Sequence, residues 1–438
     1  MAAPACSRIK WKVDHDKSVL ISNFERRGWA RAVDDGEWNI YWASPYSIKQ
    51  IFSPENGMRL QDGQLVNHFP NHYELTRKDL MVKNLKRYRK ELERVVAERA
   101  QLEANSRSTE FSSISDRDLE FIPTTFILPA DYALLAEEFR RSPNSMWIMK
   151  PTSKSRGIGI FIVNRLSQVR KWMSQRNSAS AKDAYVCSRY ITNPLLIGGK
   201  KFDLRIYVLV LSYRPLKVYT YRRGFARFCT FNYTNEAHEL DNELVHLTNV
   251  AIQKQSADYS HTHGWKWGLK NLLAYIEGTR GLDAAEALME SVGWVIVHSL
   301  KACQNVMIHD KHCFECYGYD IMLDNELKPW LLEVNASPSL TTTTTSDRIL
   351  KTQLISEVLD LAVPANFPES GRPGVACSSK RSTSTDVPTE SSPSSFELLY
   401  DEGAEIEAER AERVRKETEA ARRKGSKAGV GARRGSSL

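Results

Sequence analysis

The stretch Tyr319-Asp320-Ile321-Met322-Leu323-Asp324-Asn325-Glu326-Leu327-Lys328-Pro329-Trp330-Leu331-Leu332-Glu333-Val334-Asn335 sets two apolar runs on either side of a polar break. Such runs, bounded by Asp, Asn and Pro, read as two strands joined by a turn at Asn325-Glu326. Side chains alternate along a strand, so Glu333 and Asn335 share a face. Pairing as a hairpin brings Asp320 to that same face. Two carboxylates and an amide oxygen make a hard-oxygen set suited to Mg²⁺. The competing reading is a solvated hairpin with its acids turned outward. It sits poorly with Leu331, Leu332 and Val334, because an acid in so apolar a strand needs a partner.

Three elements upstream belong with this hairpin. Trp147-Ile148-Met149-Lys150-Pro151 places a lysine at the end of an apolar strand, ahead of Thr152-Ser153-Lys154-Ser155-Arg156-Gly157-Ile158-Gly159. Glycines at this spacing let backbone N–H groups approach phosphate oxygens, and Lys150, Lys154 and Arg156 supply charge. The Gly-Lys-Ser/Thr ending of a P-loop is missing. In Lys200-Lys201-Phe202-Asp203-Leu204-Arg205-Ile206-Tyr207-Val208, Asp203 and Arg205 share one face of an apolar strand and Lys201 stands at its mouth. The plain reading is a buried Asp–Arg pair that orders a sheet; the functional one has Arg205 stabilising a transferring phosphoryl group. His246-Leu247-Thr248-Asn249-Val250 sets polar residues in an apolar context, whereas Arg227 and Lys266 taken singly read as surface charges.

Short β-rich runs alternate with helical patterns from Met146 to Val334, which predicts an α/β or α+β fold. A charged helix is expected from Lys78 through Val96, followed by a loop at Asn105–Thr109. From Pro364 the composition turns to Ser, Pro, Gly and Thr, then to a charged Ala-rich run over Glu402–Lys424. Too few apolar residues occur there to offset chain entropy, so residues 365–438 are expected to be a disordered tail. The 438 residues carry a net charge of +8, and 42% are hydrophobic, which excludes global disorder. The acidic and basic runs of the tail nearly cancel, so the excess sits on the folded body and points to an acidic partner. No apolar run is long enough for a membrane span, the first residues lack the apolar stretch of a signal peptide, and seven scattered cysteines read as free thiols.

Taken in order, the strand lysine, the glycine turn, Lys-Phe-Asp-Leu-Arg, His-Leu-Thr-Asn and Glu-Val-Asn resemble the tubulin tyrosine ligase-like family over roughly residues 8–364. Asn67-His68-Phe69-Pro70-Asn71-His72-Tyr73-Glu74-Leu75-Thr76-Arg77-Lys78 and Asp310–Asp320 look most like its tubulin polyglutamylase branch, the catalytic subunit of a complex. The resemblance implies an ATP-grasp core of two lobes over residues 121–364, an N-terminal α/β subdomain over 1–120 and the tail beyond. It also implies a ligase that uses ATP and Mg²⁺ to add free L-glutamate to glutamate side chains of tubulin C-terminal tails. By the same resemblance Lys150, Arg156, Gly157, Lys201, Asp203, Thr248 and Asn249 contact ATP, and Ser188, Arg189, Tyr190 and Ile191 form the adenine hinge. Lys150 and Arg205 are the catalytic cations, and Asp320, Glu333 and Asn335 bind the metal. Arg227, Lys266 and Lys351 hold the incoming glutamate. Implied partners are microtubules and other subunits of a polyglutamylase complex, and implied locations are the cytoplasm, the cytoskeleton, and the axoneme and basal body of cilia.

The sequence departs from the family pattern twice: Ile158 stands between the two glycines where relatives often have Lys, and Ser188 stands where many have Gln. These departures leave open a microtubule-binding subunit with a vestigial ATP site; a ligase of the same family that uses glycine or tyrosine is a separate alternative. Cys313-Phe314-Glu315-Cys316, with His309 and His312 nearby, reads as a packed strand, since a structural zinc site needs a second ligand pair. His261 and His263 read as loop residues. The basic helix Lys83–Lys90 comes with no nucleic-acid motif, so no nucleic acid is expected as a partner.

Overall fold

A computed structural model describes residues 9–33, 37–104, 120–175, 184–236, 238–258, 265–364, 367 and 394–431. Among these, three sheets organise the chain. The first is parallel, with Ala30–Arg31, Lys10–Val13, Ile40–Trp42 and Leu65–Val66 side by side. Parallel neighbours need crossover connections, and helices Ser18–Arg26 and Pro45–Ile51 lie in two of them. Val19, Leu20 and Phe24 pack on Trp11 and Ile40, and also on Ile355 and Leu359 from helix Thr345–Ala362 far along the chain. The N-terminal unit is therefore α/β as expected, but its core is completed by a C-terminal helix.

The second sheet is antiparallel, in the order Thr125–Leu128, Tyr185–Arg189, Trp147–Pro151, Phe161–Val163. Helices Tyr132–Arg141 and Leu166–Gln175 bury Leu135, Phe139 and Val169 against Trp147, Met149 and Cys187.

The third and largest sheet is built around Lys200–Tyr213. One edge of this strand pairs with Glu315–Leu323, which pairs in turn with Pro329–Asn335. The other edge pairs with Phe225–Phe228 near its start and Leu216–Tyr221 near its end. Leu204, Ile206, Val208 and Val210 face helix Leu282–Gln304, whereas Tyr207 and Leu209 face helix Thr345–Ala362 through Leu354 and Val358. Burial on both faces explains why this strand reads as a nearly unbroken apolar run. The hairpin turn is organised by Asp324, whose Oδ1 accepts from the backbone N–H groups of Glu326 and Lys328 and whose Oδ2 accepts from Trp330 Nε1. This is the side-chain-to-backbone chemistry that makes Asp a turn former.

The expectation of a disordered tail fails at Phe396–Asp401. This segment pairs with Leu216–Tyr221 as an edge strand of the large sheet. Phe396 is buried and packs on Tyr221 with ring centroids 4.8 Å apart, and the Tyr400 ring centroid lies 4.2 Å from Lys301 Nζ. Six residues with a few apolar side chains suffice because they join an existing sheet and need not nucleate one. Their signal is diluted by the Ser/Pro-rich composition before them. A helix, Glu402–Gly431, follows and spans the expected charged run. The loop at Asn105–Thr109, His261, His263, Ser382–Thr385 and residues 432–438 lie outside the described residues.

Candidate functional site

The small and large sheets face one another across a cleft. Lys150, Val186 and Ser188–Ile191 line it from the small sheet, and Lys201, Asp203, Asp320, Met322, Leu331 and Glu333 from the large one. His246–Asn249 and Lys154–Ile158 close its sides. Long-range pairing thus gathers Lys150, Arg156, Gly157, Ser188, Arg189, Tyr190, Ile191, Lys201, Asp203, Thr248, Asn249, Asp320 and Glu333 into one space. Arg205, Arg227, Lys266, Asn335 and Lys351 do not line it. Four of these five connect with it through Asp203, Asp320 and the register of the large sheet, and Lys351 joins through Asp347.

That register produces a row of ionisable residues across five strands. Lys266 is paired with Arg227 and Arg227 with Asp203. Two residues on, Arg205 is paired with Asp320 and Asp320 with Glu333. Arg205 Nε donates to Asp320 Oδ1 at 2.6 Å and its Nη2 to Oδ2 at 3.1 Å. Arg227 Nε donates to Asp203 Oδ1 at 2.8 Å, its Nη2 bonds Asp203 Oδ2, and the same Nη2 lies 2.9 Å from Asp320 Oδ2. Burial works against ionisation of Asp320, but the two guanidiniums outweigh it and hold its carboxyl well below the usual carboxylate range. Burial likewise opposes the charge on Arg227, and Asp203 and Asp320 overcome it. The buried Asp–Arg pair and the functional reading of this strand are therefore not exclusive.

Asn335 Nδ2 donates to Gly318 O at 3.2 Å and to Asp320 Oδ2 at 3.4 Å, and Glu333 stands opposite Asp320 in the strand register. Glu333 meets a residue that the sequence reading did not place in the site. Lys78 Nζ, at the start of helix Lys78–Ala104, lies 2.9 Å from Glu333 Oε2. Its only local signal is a basic residue next to Asp79 at a helix start, which is common on surfaces. The oxygens of an aspartate, a glutamate and an amide suit a hard divalent cation, which would replace Arg205, Arg227 and Lys78 as partners of the carboxylates and take the Asn335 oxygen in place of its Nδ2.

The cleft lysines are held in apolar surroundings. Burial pushes the Lys150 ammonium down to about 8, with Glu333, Asp320 and Asp203 pulling it back up and Lys78 pushing it further down. Burial also brings Lys201 down to about 8. Lys201 Nζ donates to Tyr190 OH and to His246 O, each at 2.9 Å. Burial and the nearby Lys201 lower His246 to about 4, and its Nδ1 lies 2.8 Å from Tyr190 OH. Both lysines are positioned to meet a polyanion that would restore their full basicity.

The glycine turn is only partly the phosphate cradle expected. Gly157 has φ of +80°, a conformation that favours glycine, and a Cβ there would lie 2.3 Å from Ile252 Cδ1, so that side chain would have to shift. Two of the turn's N–H groups are already used inside it, Ile158 N to Ser155 O and Ile160 N to Gly157 O. In the segment expected to form the adenine hinge, Ser188 Oγ accepts from Thr125 Oγ1 at 2.9 Å. The Arg189 guanidinium turns to Glu138 at 2.6 Å and lies 5.4 Å from the Trp147 ring, so its charge is spent inside the small-sheet lobe.

Lys266 and Lys351 meet at a second residue the sequence reading missed. Asp347 Oδ1 is 3.4 Å from Lys266 Nζ, and Oδ2 is 3.1 Å from Lys351 Nζ. Elsewhere, Glu315 within the Cys313–Cys316 stretch is fully buried. It bonds His68 Nδ1 at 2.9 Å and accepts from the Phe69 N–H at 3.1 Å, while His68 Nε2 lies 3.2 Å from Ser337 Oγ. Burial raises the thiols of Cys313 and Cys316, the opposite of what a metal-bound thiolate needs.

Residues 57–370 match the tubulin-tyrosine ligase family. The chain is 50% identical over 408 residues to a Tetrahymena thermophila protein named probable alpha-tubulin polyglutamylase Ttll1, a match covering 92% of this chain and 95% of that protein. It is 43% identical over 384 residues to the Bos taurus probable tubulin polyglutamylase TTLL9, covering 81% of this chain and 79% of that one. Against the Mus musculus tubulin polyglutamylase TTLL5 it is 35% identical over 337 residues, which cover 74% of this chain and 22% of the relative.

Proposed function

The chain belongs to the tubulin-tyrosine ligase family, and from that premise we propose that it is an ATP-dependent tubulin polyglutamylase. It would join free glutamate to glutamate side chains in tubulin C-terminal tails. The observation that carries this reading is the continuity of the ionic row with the cleft. A polyanion seated on Lys150 and Lys201 would have Asp320 and Glu333 at one end, with the Arg205, Arg227, Lys266 and Lys351 cluster just beyond. The names of the relatives supply the acceptor.

The chemistry follows from what such a ligation requires. A carboxylate is a poor acylating agent, so the acceptor side chain first takes a phosphoryl group from ATP and becomes an acyl phosphate. The amine of free glutamate then attacks, an isopeptide bond forms and phosphate leaves. Lys150 and Lys201 offset charge on the nucleotide, Arg205 does so on the transferring group, and the excess cations orient carboxylates. Asp320, Glu333 and Asn335 would hold Mg²⁺, which supplies charge neutralisation on phosphate oxygens. Microtubules and other subunits of a polyglutamylase complex are the proposed partners, in the cytoplasm, at the cytoskeleton and at ciliary axonemes and basal bodies. No helix among the described residues is long and apolar enough to cross a membrane.

The test is incorporation of labelled glutamate into tubulin by the full chain, alone and with its partner subunits, with and without ATP. Glycine and tyrosine are run in parallel. ATP-dependent incorporation of glutamate alone supports the assignment. Incorporation of another amino acid reassigns the substrate, and no incorporation under either condition leaves a binding subunit.

A further inference from the structure

We propose that Asp347 is a positioning residue for the amino-acid substrate, holding Lys266 and Lys351 together as a paired-ammonium seat for its carboxylates. This rests on the ligase reading above and adds a residue whose own side chain need not touch the substrate.

Asp347 and Lys351 are both buried, and the carboxylate stands between the two ammoniums, one oxygen to each. Its Oδ2 also accepts from the Thr343 N–H at 3.1 Å, which ties it to the backbone. Lys351 Nζ has one further partner, Thr341 O at 2.6 Å, and Lys266 Nζ lies 4.9 Å from the Phe225 ring centroid. An ammonium carries three donors, so Lys266 and Lys351 both keep donor capacity beyond these bonds. The charged groups around this point are Arg205, Arg227, Lys266 and Lys351 against Asp203, Asp320 and Asp347. Asp203 and Asp320 are taken by the two arginines, so Asp347 faces two ammoniums, an excess of one positive charge that a substrate carboxylate can meet.

Removing Asp347 would leave those four cations facing each other with two acids that are already committed to the arginines. Burial lowers both lysines from their usual basicity and Asp347 pulls both back up, while Arg227 and Arg205 push Lys266 down again and Lys266 and Arg205 do the same to Lys351. The carboxylate thus does two things at once: it fixes the spacing of the ammoniums and offsets the effect of burial on their charge.

A purely structural role for Asp347 also has support. Thr344 caps helix Thr345–Ala362 and its hydroxyl accepts from the Asp347 N–H at 3.1 Å, a variant of the capping box. The experiment separates the two roles with the full chain in its active assembly. Asp347→Asn keeps an oxygen acceptor for the Thr343 N–H and removes the charge; Thr344→Ala removes the cap bond and keeps the carboxylate. The expected result for Asp347→Asn is at least about a tenfold rise in KM for glutamate with KM for ATP within about twofold. Its glutamate KM should also climb more steeply with rising pH than that of wild type, as the unsupported ammoniums lose their protons. Thr344→Ala should lower the melting temperature and leave the glutamate KM unchanged, and Asp347→Glu should recover part of the loss. Wild-type incorporation of glutamate with an unchanged KM in Asp347→Asn, or equal loss for glutamate and ATP, overturns the inference and leaves the ligase assignment standing. Failure of wild type to incorporate glutamate sinks both.

Discussion

Arg227 stands directly across the sheet from Asp203 and holds both oxygens of its carboxylate, while the same guanidinium reaches Asp320 on the far side of the long strand. One residue therefore ties a cleft carboxylate to a candidate metal ligand. Both acids depend on it for charge compensation in a buried setting.

The first prediction concerns that dependence. Arg227→Met should cost about 3–5 kcal/mol of stability, because it leaves two buried carboxylates short of a partner. Asp203→Asn in the same background should recover part of the loss, giving a non-additive double-mutant cycle in urea unfolding. Nucleotide affinity should fall together with glutamate use, since Arg227 organises both ends of the row. A selective effect on glutamate alone would show that Asp203 and Asp320 hold their places without it.

Glu333 offers a cleaner separation of chemistry from folding, being half-buried and paired with Lys78 alone among the described residues. Glu333→Gln keeps the shape but removes the charge opposite Lys78 and weakens the oxygen donor set. Glutamate incorporation should drop at least about 100-fold, with microtubule binding retained and the melting temperature within a few degrees of wild type. Retained incorporation would remove Glu333 from the metal site.

Nucleotide binding should depend on pH through Lys150 and Lys201, both brought down to about 8 by burial. A polyphosphate binds the protonated forms, so affinity should be nearly flat below that value and weaken above it, by up to about tenfold per pH unit for each lysine. Lys150→Met should flatten the slope in a fluorescent-nucleotide titration. For stability the sign reverses. A lysine whose folded value is lowered disfavours the folded state while it is charged, so this cost is present below about pH 8 and relieved as pH rises toward the unfolded value. Asp320, held low, contributes stability present above the usual carboxylate range and lost only as pH falls through its depressed folded value. Asp320→Asn should therefore remove part of the acid dependence of unfolding.

The C-terminal strand supplies a prediction that composition alone opposes. Deleting residues 394–438 removes Phe396 from Tyr221 and removes Glu402, whose carboxylate accepts from the Leu216 N–H at 2.7 Å. The expected loss is about 2–4 kcal/mol, the scale of one buried aromatic and a charged hydrogen bond. Truncation after Arg410 should leave stability unchanged, because the helix beyond that point is exposed wherever its side chains are described. Equal melting temperatures for both truncations would argue against a structural role for the strand.

Much of the site was legible because its signals are local. Lys150 at the end of an apolar strand, the positive-φ glycine after it, and Glu333 and Asn335 two apart on a strand are patterns within a few residues. Backbone geometry alone turns such patterns into placement. Lys78 and Asp347 were not legible. Each meets its partner through sequence-distant packing, Lys78 on a helix from the N-terminal part and Asp347 at the start of a helix that also packs on the first sheet. The edge strand at Phe396 was hidden for a related reason: its stability comes from a sheet already built by other segments.

From the sequence alone came the existence of the strands, the types of residue carried on them and, through their order, the family. Tertiary structure alone decided which charges neutralise which. Arg227 and Lys266 look like ordinary surface cations in one dimension, and pairing across five strands turns them into members of one buried row. Strand propensity is set by near neighbours, whereas the energy of a buried charge is set by whatever the fold brings within a few ångströms.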